Sequence, residues 1–301
     1  MKSKTLVIVN PASGGGSALR AEARVASYLK LRDVDASFVR SANVADIREK
    51  AARAANEGYT HVVALGGDGT FHHVIEGVYG TTAIAGFFPS GNGNDIAVAM
   101  GIANDPVRAT EQFCNGRARA VDLIKVMSKG GEVSHFIGVG GMGLDAEAAY
   151  LANTRYAKLP GWMRYLAGTF SVFFRTGALQ LGLEMDGEVW SGPGLFVAVA
   201  NGTSYGAGAR IAPDAKMDDG WMDVVVVGDV KFLRLLEALP RLFTSGDLQR
   251  FPEVQRFRCK RARMLAAPSA RVHGDGEDLG VSPVEFEVLP GAVRVIAPAD
   301  R

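Results

Sequence analysis

The sequence predicts an α/β plus β protein, in which an N-terminal doubly wound parallel α/β domain precedes a C-terminal antiparallel β-sandwich or barrel. Three observations carry that expectation. Buried-type apolar runs alternate with amphipathic segments as far as about Asp122, the rhythm of parallel βαβ units. Beyond it come glycine-rich strand-like segments with two helical stretches between them. The 301 residues also exceed what one core commonly serves, so two domains are expected, 1–122 and 123–301, with a return of the last residues to the first domain left open.

In the first half "TLVIVN" reads as a strand, "SALRAEARVASYLKL" as a helix, "DASFVRS" as a strand and "ADIREKAARAANEG" as a helix closed by Gly58. "THVVALGG", a helix from about Thr70, "TAIAGFFPSGNGN" and a helix from about Asp95 continue the pattern. In the second half "VDLIKVM", "EVSHFIGVG", "LQLGLEMDGEVWSG", "GLFVAVANG", "WMDVVVVGDV", "RARMLAAP", "ARVHGDGE", "VEFEVLP" and "AVRVIAP" read as strand segments. Helical stretches are expected near 160–176 and 231–244.

Composition excludes several classes. An apolar content of 48% with 22% charged residues suits a folded globular chain rather than a disordered one. The 33 basic and 32 acidic residues leave a net charge of +1, so nothing favours nucleic acid as a partner. Cys114 and Cys259 lie far apart and match no disulfide or metal-ligand pattern, which suggests free thiols. The apolar run of "MKSKTLVIVNP" is too short for a signal-peptide core, and no stretch is long enough to span a bilayer. A cytoplasmic location is expected, with peripheral contact at the inner membrane face allowed.

Three glycine-rich turns concentrate the chemistry. "NPASGGG" follows the first strand and opens a helix, where backbone N–H groups converge on an anion, yet it lacks the Gly-Lys-Ser/Thr of a Walker A loop. "GGDGT" ends the third strand, with Thr70 a candidate helix cap and Asp68 set at the carboxyl edge of the sheet, where open α/β folds bind ligands. A carboxylate beside phosphate is repulsive without a cation, so Mg²⁺ bridging Asp68 to nucleotide phosphates is expected. "PSGNGND" is the third turn, with Asn92 and Asn94 as donors and Asp95 as a candidate cap.

Together, in this order, "NPASGGG", "GGDGT" and "PSGNGNDIA" resemble the nucleotide-binding half of the bacterial diacylglycerol-kinase-like lipid kinases. The resemblance continues through "GVGGMGLDAEA", "IAPDAKMDDGWMDVVVV" and "HGDGE". It implies an ATP- and Mg²⁺-dependent kinase acting on a lipid hydroxyl, with the active site in the cleft between domains. Asn10, Pro11, Ala12, Ser13, Gly14, Ser41, Gly66, Gly67, Asp68, Gly69, Thr70, Phe71, His72, His73 and Asn92 would then surround ATP. Asp275 would be the general base, with Glu277 beside it; their alternation around Gly276 lets both carboxylates face one side of a strand or turn. Asp219 and the carbonyls of Lys216 and Trp221 would hold a structural Mg²⁺. Alanine at Asp68 or Asp275 is expected to abolish transfer and spare the fold.

The chain also departs from the family. Related sequences commonly carry Asn and Glu where His72 and His73 stand, and threonine at Ser41 and Asn92. The histidines read as polar lining rather than metal ligands, since neighbours on a helix diverge and no third ligand is evident. "GVGGMG" matches a dinucleotide fingerprint only in form, because no βαβ unit surrounds it. Two features could meet lipid: the apolar stretch with Trp162, Tyr165, Phe170, Phe173 and Phe174, and the basic run Arg256, Arg258, Lys260, Arg261 and Arg263. A homodimer is left open. The rival expectations are a soluble-substrate kinase of the NAD kinase or phosphofructokinase type, or a silent nucleotide- or lipid-binding regulator.

Overall fold

The computed structural model describes residues 3–159, 161–175 and 177–299. They divide into two compact units: residues up to Asp122 together with those from Gly291 onward, and Leu123–Pro290. The span expected for the second domain is therefore shortened at its end.

In the first unit, β1 (Lys4–Val9), α1 (Ser17–Leu31), β2 (Asp35–Arg40), α2 (Val44–Asn56), β3 (His61–Gly66), α3 (Asp68–Val78) and β4 (Ile84–Pro89) follow in alternation, then α4 (Asp95–Met100) and α5 (Pro106–Asn115). Helix α1 forms because Ala18, Ala21, Val25 and Leu29 make one buried stripe at three- and four-residue spacing. Helix α2 is capped by the Asn43 side chain, which accepts the Asp46 N–H at 3.0 Å. Helix α5 starts on Asp105, whose carboxylate takes the N–H groups of Val107 and Arg108, with Pro106 in the first turn. Strands β1, β3 and β4 are buried over five consecutive residues each, as suits a parallel sheet covered on both faces.

The parallel strand order is β4-β3-β1-β2. It reverses direction at the β1/β3 pair, which is the topological switch where such sheets bind ligands. Helix α3 packs on α2 through Gly77, where a Cβ would lie 2.5 Å from Ala51 Cβ and 2.6 Å from the Arg48 carbonyl. Its rotation about its own axis is set by Phe71, fully buried and stacked on Phe87 at 4.5 Å.

The second unit contains β5 (Arg117–Ser128), β6 (Val133–Phe136), β7 (Val139–Gly143), α6 (Leu144–Asn153), α7 (Gly161–Phe173), β8 (Leu179–Met185) and β9 (Glu188–Ala200). It goes on through β10 (Met222–Gly228), α8 (Phe232–Leu242), β11 (Val254–Cys259), β12 (Arg261–Ala267), β13 (Arg271–Gly274), β14 (Glu277–Val281) and β15 (Val284–Ala297). Both β5 and β15 continue past the unit's limits, and Val295 of β15 pairs in parallel with Ala85 of β4. Strands β7, β8, β10, β11, β12, β13 and β14 pair antiparallel with their neighbours, as in a sandwich: β9 joins β8 along its first half and β7 and β10 along its second. Strand β8 alternates buried and less buried residues, placing Leu179, Leu181, Leu183 and Met185 in a core with Val197, Met222, Met264 and Phe286.

Several expectations change. Helix α6 was not foreseen, and "VEFEVLP" and "AVRVIAP" form one strand rather than two. The basic run does not form a free cationic patch. Arg256 donates to the Ile211 and Gly246 carbonyls, Arg258 to Asp219, Arg261 to Glu287, and Arg263 lies 3.7 Å from Glu285. Of the expected lipid-facing aromatics, the side chains of Trp162 and Tyr165 lie outside the described residues. No helix among the described residues is long and apolar enough to cross a membrane.

Candidate active site

The three glycine turns of the first unit meet at the carboxyl ends of β1, β3 and β4. Asn10 donates its backbone N–H to Leu65 and its side-chain amide to the Thr70 hydroxyl, at 3.0 and 2.9 Å, tying the first turn to the second. The second and third turns touch backbone to backbone: a Cβ on Gly91 would lie 2.7 Å from Gly67 Cα, so only glycine allows this approach. Ser17 donates to the Ser90 carbonyl at 2.6 Å, and Gly14, at φ +55, sits where a Cβ would strike that carbonyl. Ser41 joins the group from the end of β2, its N–H bound to the Val9 carbonyl. Asn92 is exposed on the third turn.

Asp68 is the first residue of α3, and its carboxylate faces α4. Oδ2 accepts the Asp95 N–H at 3.0 Å and Oδ1 the Ile96 N–H at 3.1 Å. Asp68 therefore caps α4 from a distance of 27 residues, and Asp95 is the capped residue rather than the cap. Asn94, the formal N-cap at φ +58, turns its amide to Gly91 and Asn104 instead. Thr70 likewise is no cap: α3 begins two residues earlier and Thr70 lies in its first turn.

His72 and His73 do have a third partner. Glu76 Oε2 lies 3.1 Å from His73 Nδ1 and 3.8 Å from His72 Nε2, while Oε1 faces Arg48 at 3.9 Å. Burial alone would raise the Glu76 carboxyl, but the His73 hydrogen bond and the neighbouring His72 and Arg48 outweigh it and hold the group below its ordinary range. The signal was present as "HHVIE", where residues three and four apart share a helix face.

In the second unit Asp275 and Gly276 form the two-residue turn between β13 and β14, with φ +51 and +87. Positive φ at both positions is the type I′ hairpin that Asp-Gly favours. Gly274 pairs with Glu277, so Glu277 opens β14 and the expected alternation about Gly276 does not apply. The turn aims the Asp275 carboxylate at the link between β6 and β7: Oδ2 accepts the Ile137 N–H at 2.9 Å and Oδ1 the Gly138 N–H at 2.8 Å. The unforeseen α6 braces this hairpin. Its Asp145 lies 3.3 Å from His273 Nε2, both side chains buried, and its Glu147 accepts from Arg271, which also bonds Asp278. Tyr205 stacks on the His273 ring, and burial, then the Asp145 charge, push its hydroxyl well above its ordinary range.

The expected structural-metal residues meet a different charge. Asp219 Oδ2 accepts from Arg258 Nη2 at 2.6 Å and Oδ1 from the Trp221 N–H at 3.1 Å. A Mg²⁺ held by Asp219 and the Lys216 and Trp221 carbonyls would have to compete with the Arg258 guanidinium for this carboxylate. Asp219→Ala is expected to lower the melting temperature by about 2 °C, since a half-exposed pair contributes about 1 kcal/mol or less. Adding Mg²⁺ to metal-free protein should shift the wild-type and Asp219→Ala melting curves equally; a Mg²⁺-dependent rise in the wild type that Asp219→Ala loses would put the ion at Asp219.

Comparison with known proteins now gives the family. A model described as the diacylglycerol kinase catalytic domain matches residues 4–126, and one described as the YegS C-terminal NAD kinase beta sandwich-like domain matches 138–297, more than half of the chain. The chain belongs to the diacylglycerol-kinase-like lipid kinase family. Diacylglycerol kinase of Mycobacterium tuberculosis is 29% identical over 300 residues, covering 98% of this chain and 95% of that protein. Diacylglycerol kinase of Staphylococcus aureus is 26% identical, covering 100% and 94%. A crystal structure of a diacylglycerol kinase from Bacillus anthracis shares the fold, with a TM-score of 0.77 at 20% identity over 99% of this chain and 97% of that one. Membership makes this lipid-kinase-family chain a phosphotransferase with an alcohol group as acceptor.

Proposed function

We propose that the protein transfers the γ-phosphoryl group of ATP, with Mg²⁺, to the hydroxyl of diacylglycerol or a closely related lipid. The observation that carries the reading is the interlocking of the three glycine turns, Gly67 on Gly91, Ser17 on Ser90 and Asn10 on Thr70, at one switch point of the parallel sheet. Turns so packed present backbone rather than side chains, which is what the oxygens of a polyphosphate require.

ATP supplies the phosphoryl group when bound, and Mg²⁺ spreads its charge. In this reading Asn10–Gly14, Ser41, Gly66–His73 and Asn92 surround the nucleotide. The Asp68 carboxylate, oriented by the two α4 N–H groups at the switch point of the sheet, fits a role beside a hydrated cation. Asp275 accepts the proton of the lipid hydroxyl, its carboxylate oriented by the Ile137 and Gly138 N–H groups, and Glu277 stands beside it at the head of β14.

Lipid reaches such an enzyme from a membrane, and we assign the contact to α7 and α8. Phe170, Phe173 and Phe174 gather on Phe232 at 4.9–5.9 Å, leaving Phe174 68% and Leu233 78% exposed. Helix α8 has no buried residue, and it carries Arg234 and Arg241 among its leucines, as an interfacial helix does. The test is transfer of label from radioactive ATP to mixed micelles containing diacylglycerol, a sphingoid base or phosphatidylglycerol, with NAD as a soluble acceptor. Labelled product is expected in the organic phase with diacylglycerol. Transfer to NAD, or to no lipid, would overturn the reading.

A further inference from the structure

We infer that His72, His73 and Glu76 form a binding site for a divalent transition metal such as Zn²⁺, separate from the Mg²⁺ that serves phosphoryl transfer. Three donor atoms converge: His72 Nε2, His73 Nδ1 and Glu76 Oε2, all within 4.8 Å of one another. Zn–N and Zn–O bonds of about 2.0–2.1 Å at tetrahedral angles set donors about 3.3 Å apart. Glu76 Oε2 lies 3.1 Å from His73 Nδ1 and 3.8 Å from His72 Nε2, close to that spacing, and the two imidazole nitrogens, within 4.8 Å of each other, must rotate toward one another to close the set.

The backbone holds the group in place. Residues 72 and 76 are one full turn apart on α3, and 73 and 76 are three apart, so all three reach one side of the helix although 72 and 73 are neighbours. The rings lie edge to face at 88° with centroids 4.8 Å apart, so the two adjacent imidazoles are held side by side on the helix. Phe71 in the core and Gly77 against α2 fix the helix that carries them. Arg48 faces the other carboxylate oxygen, Oε1, and its side chain is 63% exposed, so it competes little for Oε2. Two imidazoles and one carboxylate select Zn²⁺, Ni²⁺ or Co²⁺ over Mg²⁺, which prefers oxygen ligands. With three protein ligands, the fourth tetrahedral position goes to water or another small ligand.

The experiment uses the full chain, untagged and stripped of metal. Zn²⁺ is titrated in competition with a chromophoric chelator, and Co²⁺ is added separately and read by its visible spectrum. One equivalent per chain is expected, with the strong visible bands of four-coordinate Co²⁺. His72→Asn, which restores the residue common in related sequences, and Glu76→Gln should each weaken Zn²⁺ more than tenfold and remove those bands while keeping the wild-type circular dichroism. Absence of one-equivalent binding by the wild type, or unchanged affinity in both variants, would overturn the site.

Discussion

Asp275→Asn is expected to reduce turnover by about 10²–10⁴-fold, the range for loss of a positioned general base, with only a small change in melting temperature. Asparagine is the right replacement because position 275 has φ +51, which Asn tolerates and Ala does not tolerate well. Alanine would add backbone strain to the loss of the carboxylate. The molecule supplies its own control for the remaining structural cost. Asp186 and Gly187 turn between β8 and β9 with φ +48 and +94, and the Asp186 carboxylate accepts the N–H groups of Lys260 and Arg261 at 2.8 and 2.9 Å. Asp275 makes the same two-fold grip on Ile137 and Gly138. Asp186→Asn therefore repeats the backbone lesion at a more exposed hairpin without touching the proposed chemistry. Both variants should lose a similar, small amount of stability, as measured by thermal unfolding, and only Asp275→Asn should lose transfer to diacylglycerol. Equal loss of turnover in both, or normal turnover in Asp275→Asn, would reduce Asp275 to a hairpin residue.

That comparison shows which parts of the molecule could be read along the chain. Helix α1 is found where its four-residue apolar stripe puts it, and the parallel and antiparallel halves separate where the texture changes. Local chemistry that went unread was nevertheless present: "DG" twice marks a tight hairpin, and Asp105-Pro106 marks the start of α5. Helix α6 carried no such mark, because it opens on Gly143 at φ +111 with no side-chain cap. In β15, Pro290-Gly291 looks like a break, yet Gly291 takes φ +57 and gives its N–H to Asp122 Oδ1 at 2.7 Å, which carries the chain onward. The partners in that bond are 169 residues apart, and no periodicity reports such a pairing. The glycine contact of Gly67 with Gly91 and the reach of Asp68 to α4 are of the same kind.

The reach of Asp68 changes what its replacement should do. From the sequence, Asp68→Ala is a purely chemical lesion; from the geometry it also uncaps α4. The Asp95 and Ile96 N–H groups at the start of that helix both bond to Asp68, and Asn94 has its amide turned elsewhere. A carboxylate there also meets the positive end of the helix dipole. Removing it leaves two partly buried donors without these acceptors, at a cost of about 1–3 kcal/mol for an unsatisfied group. Asp68→Ala is thus expected to lose both turnover and stability. Asp68→Asn keeps one acceptor oxygen, so most of the stability should return in thermal unfolding. Turnover should not return, because the amide carries no charge with which to hold a cation beside the nucleotide phosphates. Measuring initial rates across a Mg²⁺ titration separates the two roles: at every Mg²⁺ concentration the Asn variant should stay far below wild type. Wild-type rates in Asp68→Asn, alongside an unstable Asp68→Ala, would mean that the aspartate in the glycine turn is there to cap α4 and not to serve transfer.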